Sequence, residues 1–269
     1  MDNRRRGLIA GGVILGAAAL SGVLPAMCSL ASHRKGSAAT PPERPEGEPL
    51  PMLEEDIAPI LARLDAWYAA NLPAERYTFN PPATDRQIAE TEAAIGQTMP
   101  TAWRQLYRWH DGENDDRFGH VYGLPILPLM QVVYDWQVWK KVLEEFGDPY
   151  AIPGTGWPAG AVDPAYANPG WIPLTSDFSG GHIGVDLAPW PKGRIGQIII
   201  FGRDEDNKVV LAESLGGFLG WVADLLEAGN FRLKVAAGET VLREFRLKEP
   251  AIDSFTDGAR ILKGAPPAF

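Results

Sequence analysis

The chain has 269 residues, of which 45% are hydrophobic and 22% charged, so it can bury a core without the help of disulfides or metals. Its single cysteine, Cys28, excludes an internal disulfide and any zinc site built on several thiolates. The formal net charge of −9 repels phosphate backbones, which argues against nucleic acid as a partner and favours a basic protein.

The first 31 residues have the layout of an export signal. Arginines 4–6 precede an apolar run from Gly7 to Met27, and Arg5-Arg6-Gly7-Leu8-Ile9 is similar to the core of a twin-arginine signal. An uncleaved anchor is the alternative, because residues 8–24 are just long enough to span a bilayer, and lipidation of Cys28 is a third option. Each of these places the body outside the cytoplasm, periplasmic or membrane-anchored, and the membrane is touched only through this segment.

The next part of the chain predicts a linker followed by helices. Residues 32–52 are rich in Pro, Ser and Gly, which is typical of a flexible linker. Apolar residues at helical spacing predict a helix over 53–70, and Thr84-Asp85-Arg86-Gln87 is a capping box that starts a helix ending at Gly96. Another helix opens at Met99-Pro100 and carries His110 on its apolar face. A further helix is predicted over about 130–146.

The second half of the body changes to the spacing of strands. Residues 148–170 contain five prolines and four glycines, which predicts a long irregular loop. Short β-branched runs then follow at 171–174, 182–187, 195–201 and 208–211, and a closing helix begins at Ser214. Helices followed by hairpins indicate an α+β fold, in which a mostly antiparallel curved sheet has helices packed on one face. The tail from residue 231 has a strand-like piece around 241–247.

Two segments together resemble the SUKH superfamily, and within it the Smi/Knr family of cell-wall-assembly regulators. The first runs from Thr84 through Met99-Pro100 to Trp109-His110-Asp111-Gly112, and the second runs from Trp171 to the start of the last helix. The resemblance implies a SUKH domain over residues 53–230, no catalysis, no cofactor and a protein-binding role. Residues 231–269 form a C-terminal extension outside it. The motif residues it marks as structural or partner-binding are Trp109, Asp111, Gly112, Asp177, Gly180, Gly181, Asp186, Gly193, Gln197, Ser214 and Phe218.

One cluster of side chains offers a different chemistry. Two imidazoles, His110 and His120, flank carboxylates that could hold zinc or non-haem iron. The alternative is a helix end followed by a solvated acidic turn. A second acidic turn follows the third strand, so both turns together predict an exposed acidic interface of Glu113, Asp115, Asp116, Asp204, Glu205 and Asp206.

Residues 176–186 raise a second question, because they mix serine, histidine and aspartate. They lie along one turn and strand with no nucleophile elbow, so we expect Asp177 to cap a turn and Gly180-Gly181 to adopt positive φ.

The resemblance therefore implies a non-enzymatic binding protein, and the first hypothesis is an immunity-type protein that neutralises a basic toxin. The alternative is an accessory protein of cell-wall or envelope assembly. A metal-dependent hydrolase that uses the His110–His120 cluster is the second alternative.

Overall fold

The computed structural model describes residues 42–114, 118–235 and 242–267. Its helices are α1 (Ala58–Asn71), α2 (Asp85–Ile95), α3 (Thr101–Trp109), α4 (Leu129–Phe146), α5 (Leu215–Glu227) and α6 (Phe255–Leu262), with a 3₁₀ turn at Ala74–Arg76. Its strands are β1 (Thr155–Trp157), β2 (Trp171–Pro173), β3 (Gly181–Asp186), β4 (Gln197–Gly202), β5 (Asn207–Ala212), β6 (Arg232–Val235) and β7 (Leu242–Arg246). The predicted α+β class is confirmed.

Local signals at the helix ends explain most of these boundaries. The capping box at Thr84 is present: its hydroxyl accepts from the Gln87 amide, and the Gln87 side chain accepts from the Thr84 amide at 2.9 Å. Gly96 ends α2 in the left-handed conformation, at φ 74°. The first helix begins later than predicted, at Ala58, because Pro59 lacks an amide hydrogen and fits only into a first turn.

Five strands form one sheet in the order β1-β5-β4-β3-β2, antiparallel throughout except for the pair β1 and β5. All six residues of the central strand β4 are buried, so both of its faces are covered. Side chains alternate between those faces. Ile198 and Ile200 join the core that the sheet shares with the helices, whereas Ile199 and Phe201 lie outside it. Helix α5 packs on β4 and β5, and α4 lies along the edge strand β2.

The segment 148–170, predicted as an irregular loop, covers the second face of the sheet. It contains the strand β1, which pairs in parallel with β5 at Thr155 and Asn207. Its Tyr166 ring lies 5.7 Å from Trp139 of α4, and the Trp139 ring in turn lies 6.3 Å from Phe201 of β4. The segment is irregular as predicted except at β1, which the sequence did not predict because its partner strand and the contacts of Tyr166 are distant in sequence.

The chain after residue 230 is part of the core. Strands β6 and β7 form a hairpin, and the Phe245 ring stacks on Trp67 of α1 at 5.8 Å and on Tyr122 at 5.1 Å. The ring of Phe255, in α6, also stacks on Tyr122, at 5.0 Å. The helix that starts after Ser214 is thus not the closing one, because an eight-residue helix follows it.

Part of the predicted linker also lies on the fold. The Leu50 amide donates to the Gly193 carbonyl at 2.8 Å, and the Leu50 carbonyl accepts from the Ile195 amide at 3.0 Å. Leu50, near the end of the predicted linker, is therefore held by backbone hydrogen bonds, and flexibility of the rest of 32–52 stays a prediction. The predicted signal or anchor, 1–31, lies outside the described residues, and within those residues no helix is long and apolar enough to cross a membrane.

Truncating Phe245 to alanine should destabilise the domain by about 3–5 kcal/mol, because it empties a ring-lined site that is 1% exposed. Urea unfolding of the full chain measures this. The matched control is Phe178→Ala, since that ring is 49% exposed, and its effect should stay within about 0.5 kcal/mol. Equal effects for the two variants would mean that the C-terminal hairpin does not belong to the cooperative core.

Candidate functional site

The motif Asp111-Gly112 joins two helices. The Asp111 carboxylate accepts a hydrogen bond from the amide of Leu129, the first residue of α4, at 2.8 Å. Helix amides in the first turn have no intrahelical partner, and Pro128 supplies no side-chain cap, so Asp111 fills that role from a distance. Gly112 has φ 62°, and a Cβ there would lie 2.4 Å from the Pro128 nitrogen. Both residues are needed for the path from α3 to α4.

Glu113 does not lie in an exposed acidic turn, as the sequence predicted. Its side chain is fully buried, and one carboxylate oxygen lies 2.7 Å from Nδ1 of the equally buried His120. The carboxylate also accepts from the amides of His120 and Ile126, at 3.2 and 2.9 Å. Burying an unpaired carboxylate would be costly. Glu113 can be buried because these partners pair with its carboxylate. Two other predicted interface residues, Asp115 and Asp116, lie outside the described residues.

The two histidines of the proposed metal cluster have separate surroundings. His110 caps the end of α3; its Nδ1 lies 2.8 Å from the Asn80 carbonyl and its Nε2 lies 3.0 Å from the Tyr77 hydroxyl. The His120 ring packs 4.2 Å from Phe79, and its buried Nε2 has no hydrogen-bond partner within the part of the chain that the structure describes. Across residues 42–114, 118–235 and 242–267, no three His, Cys, Asp or Glu side chains form a metal-binding group.

Aromatic side chains form a cluster around His110 and His120. Phe79 is its centre, with His110 stacked on it at 4.8 Å and Trp109 tilted against it at 4.7 Å. The motif residue Trp109 is half-buried, so it completes the packing at the end of α3. The aromatic and histidine residues at the end of α3 are therefore accounted for by packing. Tyr77 connects the cluster to the surface, since its hydroxyl donates to Asp65 at 2.6 Å.

The turn before β3 has the geometry that the sequence predicts for Asp177. Its Oδ1 accepts from the amides of Ser179 and Gly181, at 2.7 and 2.8 Å, and Gly180 adopts φ 98°. The expected positive φ at Gly181 is wrong. That residue is required for space instead, because a Cβ there would lie 2.4 Å from an Asp177 carboxylate oxygen.

Asp186, Gly193 and Gln197 form one buried network. The Gln197 amide group donates to Asp186 at 2.9 Å and to the Ala161 carbonyl at 3.0 Å, and its oxygen accepts from the Arg194 amide at 3.1 Å. A Cβ on Gly193 would lie 2.2 Å from the Ala161 carbonyl oxygen. Burial raises the pKa of Asp186 to about 7, against the opposing effect of its hydrogen bond from Gln197. The network ties the 148–170 segment to β3 and β4.

The motif residue Ser214 starts α5 with the help of a residue from the N-terminal side. Its hydroxyl accepts from the Gly217 amide at 3.0 Å and donates to Glu55 at 2.6 Å. Glu55 also accepts from the Gly216 amide, at 3.2 Å, so a carboxylate sits at the positive end of the helix. Phe218 is fully buried in the shared core. Sequence reasoning found Ser214 and missed Glu55, because no local pattern connects residues this far apart.

The second predicted acidic turn, residues 204–206, makes mostly contacts within the protein. Glu205 pairs with Arg260 of α6, whose side chain is 1% exposed. Asp206 is half-buried, and Asp204, which pairs with Arg203 at 3.1 Å, is the exposed member, at 65%. Arg260 lies in the C-terminal extension, which gave no signal of this pairing. The prediction of an exposed acidic interface fails for Glu113 and is weakened for Glu205.

One buried cation was not anticipated. Lys208 of β5 is 1% exposed, and its ammonium lies 5.8 Å from the Tyr166 ring and 6.0 Å from the Trp171 ring. Burial lowers its pKa to about 8, with the charges of Asp206 and Asp163 acting in the opposite direction. The signal in the sequence was a lysine within a short β-branched run that was predicted to be a strand. In the structure this lysine lies on the covered face of the sheet.

A groove of about 290 Å³ opens on the surface between the 192–194 turn, β5 and Lys263, the residue that follows α6. The cations Lys192, Arg194 and Lys263 line it together with Trp157, which is 38% exposed. Its lining carboxylate, Glu213, pairs with Arg194 at 3.2 Å. The groove is therefore an accessible, cationic and partly aromatic feature on an acidic protein.

Comparison with known proteins gives a consistent result. The family model described as SMI1/KNR4 family (SUKH-1) matches residues 82–221. The chain is 33% identical over 232 residues to the cell wall assembly regulator SMI1 of Saccharomyces cerevisiae, covering 71% of this chain and 46% of the relative. It is 32% identical over 223 residues to the glucan synthesis regulatory protein of Neurospora crassa, covering 71% and 42%. The chain thus spans less than half the length of these relatives.

Replacing Glu113 by alanine should destabilise the domain by about 3–5 kcal/mol, because three buried amide or imidazole donors would lose their acceptor. Urea unfolding at neutral pH measures the loss. The control is Glu90→Ala, which removes a 59% exposed carboxylate paired with Arg86 and should change stability by less than about 1 kcal/mol. A Glu113→Ala chain that unfolds like the wild type would contradict the buried hub.

Asp186 predicts a pH dependence of stability. Its folded-state pKa of about 7 lies above the ordinary 3.8, so the folded chain holds a proton that the unfolded chain releases. The contribution is present at low pH and is lost as pH rises towards 7. The Asp186→Asn variant cannot titrate there, so the difference in unfolding free energy should move in the variant's favour between about pH 4 and pH 7. A difference that is constant with pH would refute the assignment.

Proposed function

The chain belongs to the SMI1/KNR4 family (SUKH-1), and from that membership we propose that it is a non-enzymatic regulator of cell wall or envelope assembly that acts by binding a protein partner. The observation that carries the proposal is the match over residues 82–221, together with relatives named as regulators of wall assembly and glucan synthesis. The partner and the whole protein's activity are part of the proposal, since the chain corresponds to less than half of those relatives.

The chemistry of the described residues supports a binding role. Three carboxylates that could act as a base or ligand are bonded to other parts of the fold. Glu113 accepts from His120, Asp186 accepts from Gln197, and Asp111 caps α4. A general base must reach a bound substrate, so side chains committed to buried hydrogen bonds are poorly placed for hydrolysis. The groove, by contrast, is lined by side chains that a partner can reach, among them Lys192, Trp157 and Leu50.

The toxin-immunity hypothesis receives no support from these relatives, whose names refer to regulators of the wall and of glucan synthesis. We therefore place wall or envelope assembly first. We also propose that residues 1–31 export or anchor the domain outside the cytoplasm, on the strength of Arg5-Arg6 and the apolar run that follows. This location would bring the domain to the compartment in which envelope material is assembled.

Deletion of the gene in the organism that encodes this chain should raise sensitivity to a wall-degrading enzyme, measured as the rate of lysis. The full chain should restore resistance, and a chain with His110→Ala should restore it equally, because the proposal assigns no catalysis to this half-buried ring. Failure of His110→Ala to complement, with unchanged thermal unfolding, would favour the hydrolase. Normal lysis of the deletion strain would remove the proposed function.

A second arm of that experiment concerns location. The chain with Arg5→Lys and Arg6→Lys should fail to complement and should remain in the cytoplasmic fraction if the twin-arginine route is used. Complementation by this variant from the cytoplasm would separate the regulatory role from export.

A further inference from the structure

The groove described above has a chemical character opposite to that of the chain as a whole. The formal net charge is −9, yet three of the side chains that line the groove are cationic. Arg194 is engaged: its guanidinium pairs with Glu213 at 3.2 Å and donates to the Pro51 carbonyl at 2.8 Å. Lys192 is exposed and forms no ion pair among residues 42–114, 118–235 and 242–267. It is a cation available to a ligand.

The third cation is held in position by an aromatic ring. The Lys263 ammonium lies 4.0 Å from the centroid of the Trp221 ring, which is a cation–π contact, and the side chain is half-buried at the end of α6. The Lys192 side chain passes close to Gly160, where a Cβ would lie only 3.2 Å from its Cδ. At Lys263 the cation–π contact lowers the entropy lost when a ligand orders the side chain, whereas Lys192 supplies an exposed ammonium group.

The rim of the groove is apolar. Trp157 is 38% exposed and Leu50 is 47% exposed, and both line the groove. An exposed tryptophan beside a concave, charged surface is typical of the residues that dominate protein–protein interfaces. The positions of both are fixed, since Trp157 belongs to β1 and Leu50 is bonded to the 193–195 backbone. The ligand should therefore combine carboxylates with a large apolar side chain.

We propose that the groove binds an acidic peptide segment of the protein partner, with carboxylates at Lys192 and Lys263 and an apolar side chain against Trp157. This inference rests on the proposed function and names the chemistry of its partner. A groove of about 290 Å³ can hold a few side chains of a peptide, but it is too small for a long stretch of a polymer. The net negative charge would repel a nucleic acid or an anionic membrane at long range, whereas a short segment with few carboxylates meets chiefly the local field.

The proposed polarity differs from the sequence prediction. The sequence predicted that an exposed acidic interface binds a basic partner. In the structure, however, Glu113 is buried and Glu205 is paired with Arg260. The accessible groove selects carboxylates, so the partner segment is acidic even if the rest of the partner is not.

The test selects ligands for the purified full chain from a phage-displayed library of random peptides about eight residues long. The selected peptides should be enriched in Glu or Asp beside Leu, Phe or Trp. A fluorescent copy of the strongest peptide should bind about tenfold more weakly to the Lys192→Gln, Lys263→Gln variant, and binding to the wild type should weaken as NaCl rises from about 50 to about 300 mM.

The matched control is Lys140→Gln with Lys141→Gln on α4. It makes the same change in net charge, and Lys140 also lies over a tryptophan ring, 5.5 Å from that of Trp136. This variant should bind the peptide like the wild type, and all variants should unfold at similar temperatures. Basic or charge-free selected peptides, or equal losses in the two double variants, would overturn the proposal. So would binding of phosphatidylserine vesicles through Lys192 and Lys263, which would assign the groove to a membrane.

The outcomes separate this inference from the proposed function. If the Lys192→Gln, Lys263→Gln chain selects no acidic peptide and still restores resistance to lysis in the deletion strain, the regulatory role stands and the groove is not its binding site. If the deletion strain lyses normally, the role fails whatever the groove binds.

Discussion

A buried carboxylate organises the first half of this domain. Glu113 lies at the point where the chain leaves α3 and must turn into α4, and it accepts hydrogen bonds from His120 and from the Ile126 amide. An unpaired buried charge would be costly, so these hydrogen bonds hold Glu113, His120 and Ile126 together. Close to Glu113 in the chain, Asp111 caps the first turn of α4, and the Phe79 ring packs against His120. The hydrogen bonds of Glu113 and Asp111 together connect the end of α3 with the start of α4.

The features that the sequence predicted well are those whose causes are local. The capping box at Thr84 and the cap at Ser214 involve partners three residues away, and Gly147 ends α4 where the left-handed conformation is needed. The features that were missed depend on distant partners. In the sequence Glu113 is one acid in an acidic run, and only the folded chain brings His120 and Ile126 to it. Likewise, β1 has no strand pattern of its own and becomes a strand by pairing with β5. A short acidic stretch has the same composition whether it is solvated or buried.

The motif residues turn out to be connections between segments. Asp111 joins α3 to α4, Gln197 joins β4 to the 148–170 segment, and Ser214 joins α5 to Glu55 before α1. This pattern is typical of a scaffold in which the motif residues hold the segments of the fold together. Recognition is then left to surface residues with weaker constraints, such as Lys192 and Trp157, which can differ between scaffolds that bind different partners.

The position of Phe245 in the core makes folding depend on contacts between segments that are far apart in the sequence. The Trp67 ring of α1 stacks on Phe245 of β7, so this contact closes a loop that contains the whole five-stranded sheet. Closing a long loop costs more entropy than closing a short one, and contacts of long sequence separation slow folding. We therefore expect the β6–β7 hairpin to dock late, after the sheet and its helices have formed.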